Sequence, residues 1–595
     1  MLEMKRNVLC LALCLALLCI CTNGLGIYKL GDELIVNGNM EYDNWDSNYQ
    51  WYPRLSTLTQ IPGVVGQAAA ITPSIDENGW IGQNLYGDRA LTFGGHYYME
   101  GYLKVLNHPG GLDWFNIDLR FRYIDKDSIY RSLTIGEYFR IRDSDGWVKI
   151  SGEFTVPDNC TEQRVFITGV ASPNLQFAVD EFSLKQIIPD EDWEAAANEM
   201  IDEYRKGQVN VNVNITYNLD PSYVTFGIRQ LSHDFKLGAH ITSQVFNGTW
   251  VTAEVSEAYR NYFHDNFNSA TPNFRFRWNQ VEKLEGVLDY THVDKAISSL
   301  NERGVNVIGS NIFRDHENHM FPLWASDKTE TEKIDLMKKR VNDVAAHFSG
   351  KVDTYIVCRD NLRRGYYQQA TGDYDIIDKM FVWMEATGDP ATLVISDTNV
   401  IRSSERTSAL AQQAKTLKDS GHNLQIGVQG MFEAAYTVDP IRLMARFDIL
   451  AQAELPILVT RLNIQRVDVM ERARDLEHFL RVAFAHPNVD GITLEGFWDQ
   501  KMPRADSSLV DTDDFVINKA GWTLSRLFKK EWRTDGILTL PEKFLSQQTA
   551  SFRAFYGEYE IDVMVDGEVV DTRTFSVHKG VPTEIDVDIN SPNTV

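Results

Sequence analysis

Four carboxylates and four guanidiniums stand at or near the ends of apolar, strand-like runs in the second half of this chain: Asp315, Asp360, Asp397 and Glu495 against Arg275, Arg314, Arg359 and Arg461. The amide of Gln429 ends another such run. Carboxylates at strand ends can move protons or attack an electrophilic carbon. A guanidinium does neither, because it stays protonated in proteins and offers no lone pair. Arg461, within Leu455-Pro456-Ile457-Leu458-Val459-Thr460-Arg461-Leu462-Asn463-Ile464, therefore cannot serve as a nucleophile. Like charges gathered in one cavity are prohibitive unless paired. Either the four acids neutralise the arginines internally or an anion does, since Arg forks suit carboxylate and sulfate. Internal pairing is the expectation, with Arg461 and Arg359 in reach of Asp360, Glu495 or Asp315.

The elements that position these groups are read from periodicity. Apolar runs at 305–313, 354–357, 392–397, 425–429, 456–464 and 491–498 alternate with amphipathic helical stretches. Sustained alternation of this kind predicts a (β/α)8 TIM barrel over 235–535, with its site at the C-terminal strand ends. Before it, 26–186 shows short alternating strands broken by Gly, Asn, Asp and Pro, the pattern of a β-sandwich. A helical coupling segment is expected over 187–234: Asp190-Glu191-Asp192-Trp193 is a start signal, and Ala195, Ala196, Met200, Ile201 and Tyr204 follow at helical spacing. Alternation returns over 536–595, which reads as a small C-terminal β domain.

Residues 1–24 read as a secretory signal peptide, with Lys5 and Arg6 ahead of an apolar run at 8–21 that is too short to span a membrane. Four of the six cysteines lie in that leader, leaving Cys160 and Cys358, so no disulfide framework is expected. Sequons at Asn159, Asn214 and Asn247 fit a secreted chain. A formal net charge of −25 argues against nucleic acid or an anionic membrane as partner.

The middle of the chain resembles family-10 glycoside hydrolases, the endo-1,4-β-xylanases. Leu237-Gly238-Ala239-His240 is similar to that family's first strand, and 267–278 to its F-N-x-x-T-P-E-N-x-M-K-W. Gly427-Val428-Gln429-Gly430 resembles its glutamine strand, and 455–464 its L-P-I-x-I-T-E-L-D-I, whose Glu is the nucleophile. The resemblance implies a glycosidase barrel, but the sugar-handling positions depart from it. The nucleophile is Arg461, and the acid/base Glu is Asp360, preceded by Arg359 where the family has Asn. Asn273, Phe274 and Arg277 replace Glu, Asn and Lys; Ser310, Arg314 and Asp315 replace His, Trp and His; Met431 and Glu495 replace His and Trp. A retaining mechanism needs two carboxyls about 5–5.5 Å apart. With Arg461 in place no glycosyl-enzyme forms. Glu495 and Asp315 are the candidates for an inverting rescue, which needs a second carboxylate roughly 6.5–9.5 Å away.

Residues 26–186 resemble carbohydrate-binding modules of the family 4, 9 and 22 jelly-roll type, through Asn37-Gly38-Asn39-Met40-Glu41, 146–152 and 177–184. Aromatic rings hold sugars by stacking on apolar pyranose faces. Trp51, Tyr52, Trp80 and Trp114 are the candidate platforms, whereas Trp147 is expected in the core. Such modules carry a structural Ca2+ in many members, which makes Glu41 and Asp180 weak candidate ligands; no other cofactor is implied. The resemblance implies a secreted polysaccharide-binding protein, catalytically disabled, with a β-1,4-linked or anionic glycan as partner. The alternatives are an active glycosidase with rearranged acid and base, and a structural protein of an extracellular matrix such as shell or cuticle.

Overall fold

The computed structural model describes residues 26–43, 45, 51–107, 114–170, 172–272, 276–317, 320–362, 365–433, 436–540 and 547–590. The expected leader and Arg275 lie outside these residues. Eight parallel strands, Lys236–Ile241, Ser269–Pro272, Asn306–Gly309, Thr354–Arg359, Thr392–Asp397, Leu424–Phe432, Ile457–Ile464 and Val489–Leu494, close into a barrel. Closure comes from pairing of the first strand with the last and of the third with the fourth. The run at 305–313 does not stay one strand. It breaks at Ser310–Ile312, with Asn311 at φ 35°, and resumes as the two-residue strand Phe313–Arg314 beside Thr354–Arg359. That break carries Arg314 and Asp315 out over the barrel mouth.

The surrounding helices form where the pattern and the caps agree. Glu330–Phe348 begins with a reciprocal capping box between Thr329 and Glu332 and buries Met337, Val341, Val344 and Phe348 at helical spacing. Asp439 and Asp468 accept the first amides of Pro440–Ala451 and Val469–Ala485, caps of about 1 kcal/mol each. Inside the barrel, Ile308, Ile356, Val394 and Leu458 form a small apolar layer separate from the helix-facing core. Above it lies a hydroxyl layer, in which Ser396 Oγ meets Thr460 Oγ1 at 3.2 Å and Thr460 donates to the Val428 carbonyl. The charged groups of the mouth sit on top of both.

The N-terminal domain is two packed antiparallel sheets of six and five strands. Alternate residues of each, such as Met99, Leu103 and Val105 facing Ile117, Leu119 and Phe121, fill the core between them. The stretch expected to be a helical coupling differs from that expectation: only Trp193–Arg205 is α-helix, with one 3-10 turn at Pro221–Tyr223. Lys206–Ile215 then runs as a strand between Gln547–Phe555 and Thr583–Ile589, and Val224–Gln230 between Gly536–Thr539 and Gly557–Val565. Its Val209, Val211, Val213 and Ile215 point inward and its asparagines outward, a period of two. The closing β domain is thus assembled from chain on both sides of the barrel.

The sandwich docks along the barrel flank. Glu153, with a fully buried side chain, receives Arg446 at 2.7 Å and Arg442 at 3.4 Å from the helix Pro440–Ala451. The backbone amide of Glu153 donates to Ser404 Oγ, and Gln452 donates to Tyr98 Oη at 2.7 Å. No helix among the described residues is long and apolar enough to cross a membrane.

Candidate functional site

The strand ends converge on a charged layer that is largely paired within itself. Arg461 meets Glu495 in an ion pair, and Asn463, two residues along the same strand, donates to the other carboxylate oxygen. Arg314 Nε reaches Asp360 Oδ2 at 2.8 Å, and Arg359 Nε reaches Asp360 Oδ1 at 3.2 Å. Arg359 also donates to Gln429 Oε1 at 3.0 Å, and Gln429 is the register partner of Arg461. Asp360, at φ 64°, holds a left-handed conformation that turns its carboxylate back between the two guanidiniums.

The electrostatics follow from burial and from the number of guanidiniums. Burial, then the charges of Arg359, Arg277 and Arg314, pull Arg461 down to about 9, which leaves it charged at neutral pH. Burial opposes ionisation of Asp360, yet Arg359 and Arg314 together hold its carboxyl below the usual range. His240, buried and bonded to the Thr460 carbonyl, is pushed down to about 3 by burial and by Arg461, and so is neutral.

Two of the four acids expected to neutralise the arginines do something else. Asp315 spends its oxygens on the backbone amides of Gly365, Tyr366 and Tyr367, at the start of the helix Tyr366–Thr371. Burial raises it to about 6. Asp397 accepts from the amides of Leu362 and Thr398, with Arg406 at 3.7 Å, and burial followed by the charge of Asp360 raises it to about 7. Both acids shape the loop after the fourth strand, because that loop presents amides nearer than any arginine of the mouth. Asn463 was missed by the sequence reading; its signal was the period of two from Arg461. Arg140 was missed too, because it comes from the sandwich. A Cβ on Gly365 would stand 3.0 Å from Arg140 Nη2, so the accessory domain reaches that same loop.

The aromatic candidates separate according to sheet face. Trp51 is fully buried in the sandwich core, donating to the Asn37 carbonyl at 3.0 Å, and is no platform. Trp114 packs near Tyr374 of the barrel, with Arg140 5.6 Å from its ring, and is a docking contact. Tyr52 and Trp80 lie on the outer face of the five-stranded sheet with Phe166, in edge and tilted contacts at 5.6 and 5.1 Å. Gly82 provides the floor there, since a Cβ on it would meet the Trp80 ring at 2.8 Å. Trp147, expected in the core, is half-buried and outside it, facing the barrel.

Glu41 and Asp180 come to the same turn, where they accept the amides of Gln67 and of Val64 and Val65. Calcium takes six to eight oxygens. Among the described residues no group of three or more His, Cys, Asp or Glu is placed to hold a metal, and the pair fits a turn clamp better than an ion site. Of the sequons, Asn159 is exposed in a turn. The Asn214 amide donates to Asp588 and the Asn247 amide to the His292 carbonyl.

Residues 230–515 match the profile of glycosyl hydrolase family 10. The chain is 27% identical over 469 residues to endo-1,4-beta-xylanase 3 of Arabidopsis thaliana, covering 75% of this chain and 58% of that relative. It is likewise 27% identical over 394 residues to the anti-sigma-I factor RsgI6 of Acetivibrio thermocellus, covering 66% and 49%. The chain spans about half the length of the curated relatives it matches. Among solved structures, the Clostridium thermocellum xylanase 10B modules complexed with xylohexaose align with 14% identity and a TM-score of 0.43, over 84% of this chain and 97% of that one. Xylanase 10B of Thermotoga petrophila RKU-1 with xylobiose aligns with 17% identity and a TM-score of 0.45, over 50% and 95%. The protein therefore contains a family-10 xylanase-like domain behind an N-terminal accessory β domain.

Proposed function

We propose that this is a secreted glycan-binding relative of the family-10 xylanases whose barrel does not cleave sugars. The observation that carries the reading is the Arg461–Glu495 ion pair: the position where the family's pattern has its nucleophile holds a cation, and a candidate rescue acid is bound to it. Asp360 is no better placed as an acid. A general acid needs its pKa raised toward the working pH, and the two guanidiniums hold this one low. Binding falls to the sandwich, where half-buried Tyr52 edges a ring cluster whose Trp80 and Phe166 are 8% and 9% exposed, beside Asn84, which accepts the Tyr52 hydroxyl at 3.0 Å. A β-1,4-linked glycan, xylan or cellulose in type, is the ligand this reading assigns. Purified protein incubated with xylan, cellulose and aryl β-xylosides should release no sugar, while its migration in xylan-containing native gels should be retarded. Turnover that disappears in Asp360→Ala would overturn the reading.

A further inference from the structure

A groove of about 470 Å3 runs between the sandwich and the barrel, bounded on one side by the strands Tyr130–Ile141 and Val148–Thr155 and on the other by the helices Ser404–Asp419 and Pro440–Ala451. That volume is within the range of sites that hold small organic ligands. Its sandwich wall carries three aromatic rings, Tyr102, Tyr138 and Trp147. Trp147 is half-buried and Tyr138 almost wholly so, the first offering exposed ring surface to the groove and the second closing it.

The barrel wall contributes polar atoms that the protein itself leaves unsatisfied. Ser408 is 1% exposed, and its hydroxyl has no hydrogen-bond partner among the described residues. Gln412 donates its amide to the Lys149 carbonyl at 2.9 Å, yet its Oε1 is buried without a donor. A buried polar group left unpaired forfeits a hydrogen bond it would make in water, so two of them lining one groove call for an occupant that supplies hydrogen bonds. Charge narrows the class. Lys415 and Asp419 are paired with each other at 2.9 Å, and Lys149 is paired with Glu100 at 2.9 Å, so both lysines of the lining are already neutralised. A lining whose cations are already paired selects against an anionic ligand. Flat apolar faces, hydroxyl edges and no charge are together the properties of a neutral pyranose.

We infer that this interdomain groove is a second saccharide site, in which one or two neutral sugar residues of a glycan chain stack on Trp147 and hydrogen-bond to Ser408 and Gln412. The inference rests on the glycan-binding reading and adds to it a site formed only when sandwich and barrel are docked. A glycan held there would bind both domains at once and favour the docked state over the separated one.

Calorimetric titration of the full chain with xylohexaose and with cellohexaose tests it, using Trp80→Ala to remove the outer-face platform. Trp80→Ala should still bind one of the hexaoses. Adding Trp147→Ala should weaken that remaining binding at least tenfold, and Trp147→Phe should restore it to within about threefold of Trp80→Ala. Thr416→Phe, which adds bulk to the groove from the barrel side, should abolish it, with melting temperatures checked for every variant. If the unaltered chain binds but Trp80→Ala alone does not, the groove is not a site and the glycan-binding reading stands. Binding that persists when Trp147→Ala or Thr416→Phe is added to Trp80→Ala likewise overturns the groove. If the unaltered chain binds neither hexaose, both readings fall.

Discussion

Replacing Arg461 by methionine removes a charge of similar reach and leaves Glu495 with only Asn463 as a donor. The Glu495 side chain is 2% exposed and that of Arg461 23%. Breaking a fully buried pair from one side costs roughly 3–5 kcal/mol. The partial exposure of Arg461 and the retained Asn463 bond place this case near the lower end, about 3 kcal/mol. An escape route sets a ceiling, because neutralising an ordinary glutamate costs about 3.7 kcal/mol at pH 7 and only about 1 kcal/mol at pH 5. The Arg461→Met penalty should therefore shrink as pH falls. At 2–4 °C per kcal/mol for a large domain, the barrel transition should drop by roughly 6–12 °C at pH 7. The double variant Arg461→Met/Glu495→Met removes both charges, and such replacements are often neutral or stabilising; it should melt within a few degrees of the parent. Scanning calorimetry of the parent, both single variants and the double variant gives the coupling, expected to exceed about 2 kcal/mol. Additive single-variant effects, or an Arg461→Met loss that does not depend on pH, would refute the account of the mouth as an internally neutralised layer.

Asp397 supplies a pH dependence of opposite sign to that of a paired carboxylate. Its folded pKa of about 7 lies above the ordinary value near 4, so the folded state binds the extra proton, and its contribution is greatest below about 4 and is lost as pH rises to about 7. Asp397→Asn should flatten the stability profile between pH 4 and 7 relative to the parent; an unchanged difference across that window would contradict the raised value. At the domain junction, Glu153→Ala leaves Arg446, itself 6% exposed, without its carboxylate. Separate melting of sandwich and barrel is the expected outcome, with a loss of about 3–5 kcal/mol in the docked state, whereas a single unshifted transition would show that the pair does not hold the domains together.

Much of the architecture was legible in local pattern. Barrel strands came from apolar runs at regular intervals, and Thr392–Asp397 and Ile457–Ile464 sit close to where those runs place them, because a buried parallel strand must be continuously apolar. The incapacity of Arg461 as a nucleophile followed from residue type alone. Even the strand Lys206–Ile215 announced itself by its period of two, but the helix signal just before it took precedence in reading a segment whose sheet partners lie more than 300 residues away.

What tertiary structure decided was the choice of partner. Charge type predicts that arginines and acids will pair, but not which ones, since the interaction depends on distances of a few ångströms between residues brought together from separate strands. Asp360 went to Arg314 and Arg359, and Glu495 to Arg461, while Asp315 and Asp397 turned to backbone amides that no side-chain pattern reveals. The tryptophans were decided in the same way. Trp51 and Trp147 are the same residue type in similar polar surroundings, and the first is sealed in the sandwich while the second faces the barrel, because burial depends on what docks against a sheet face.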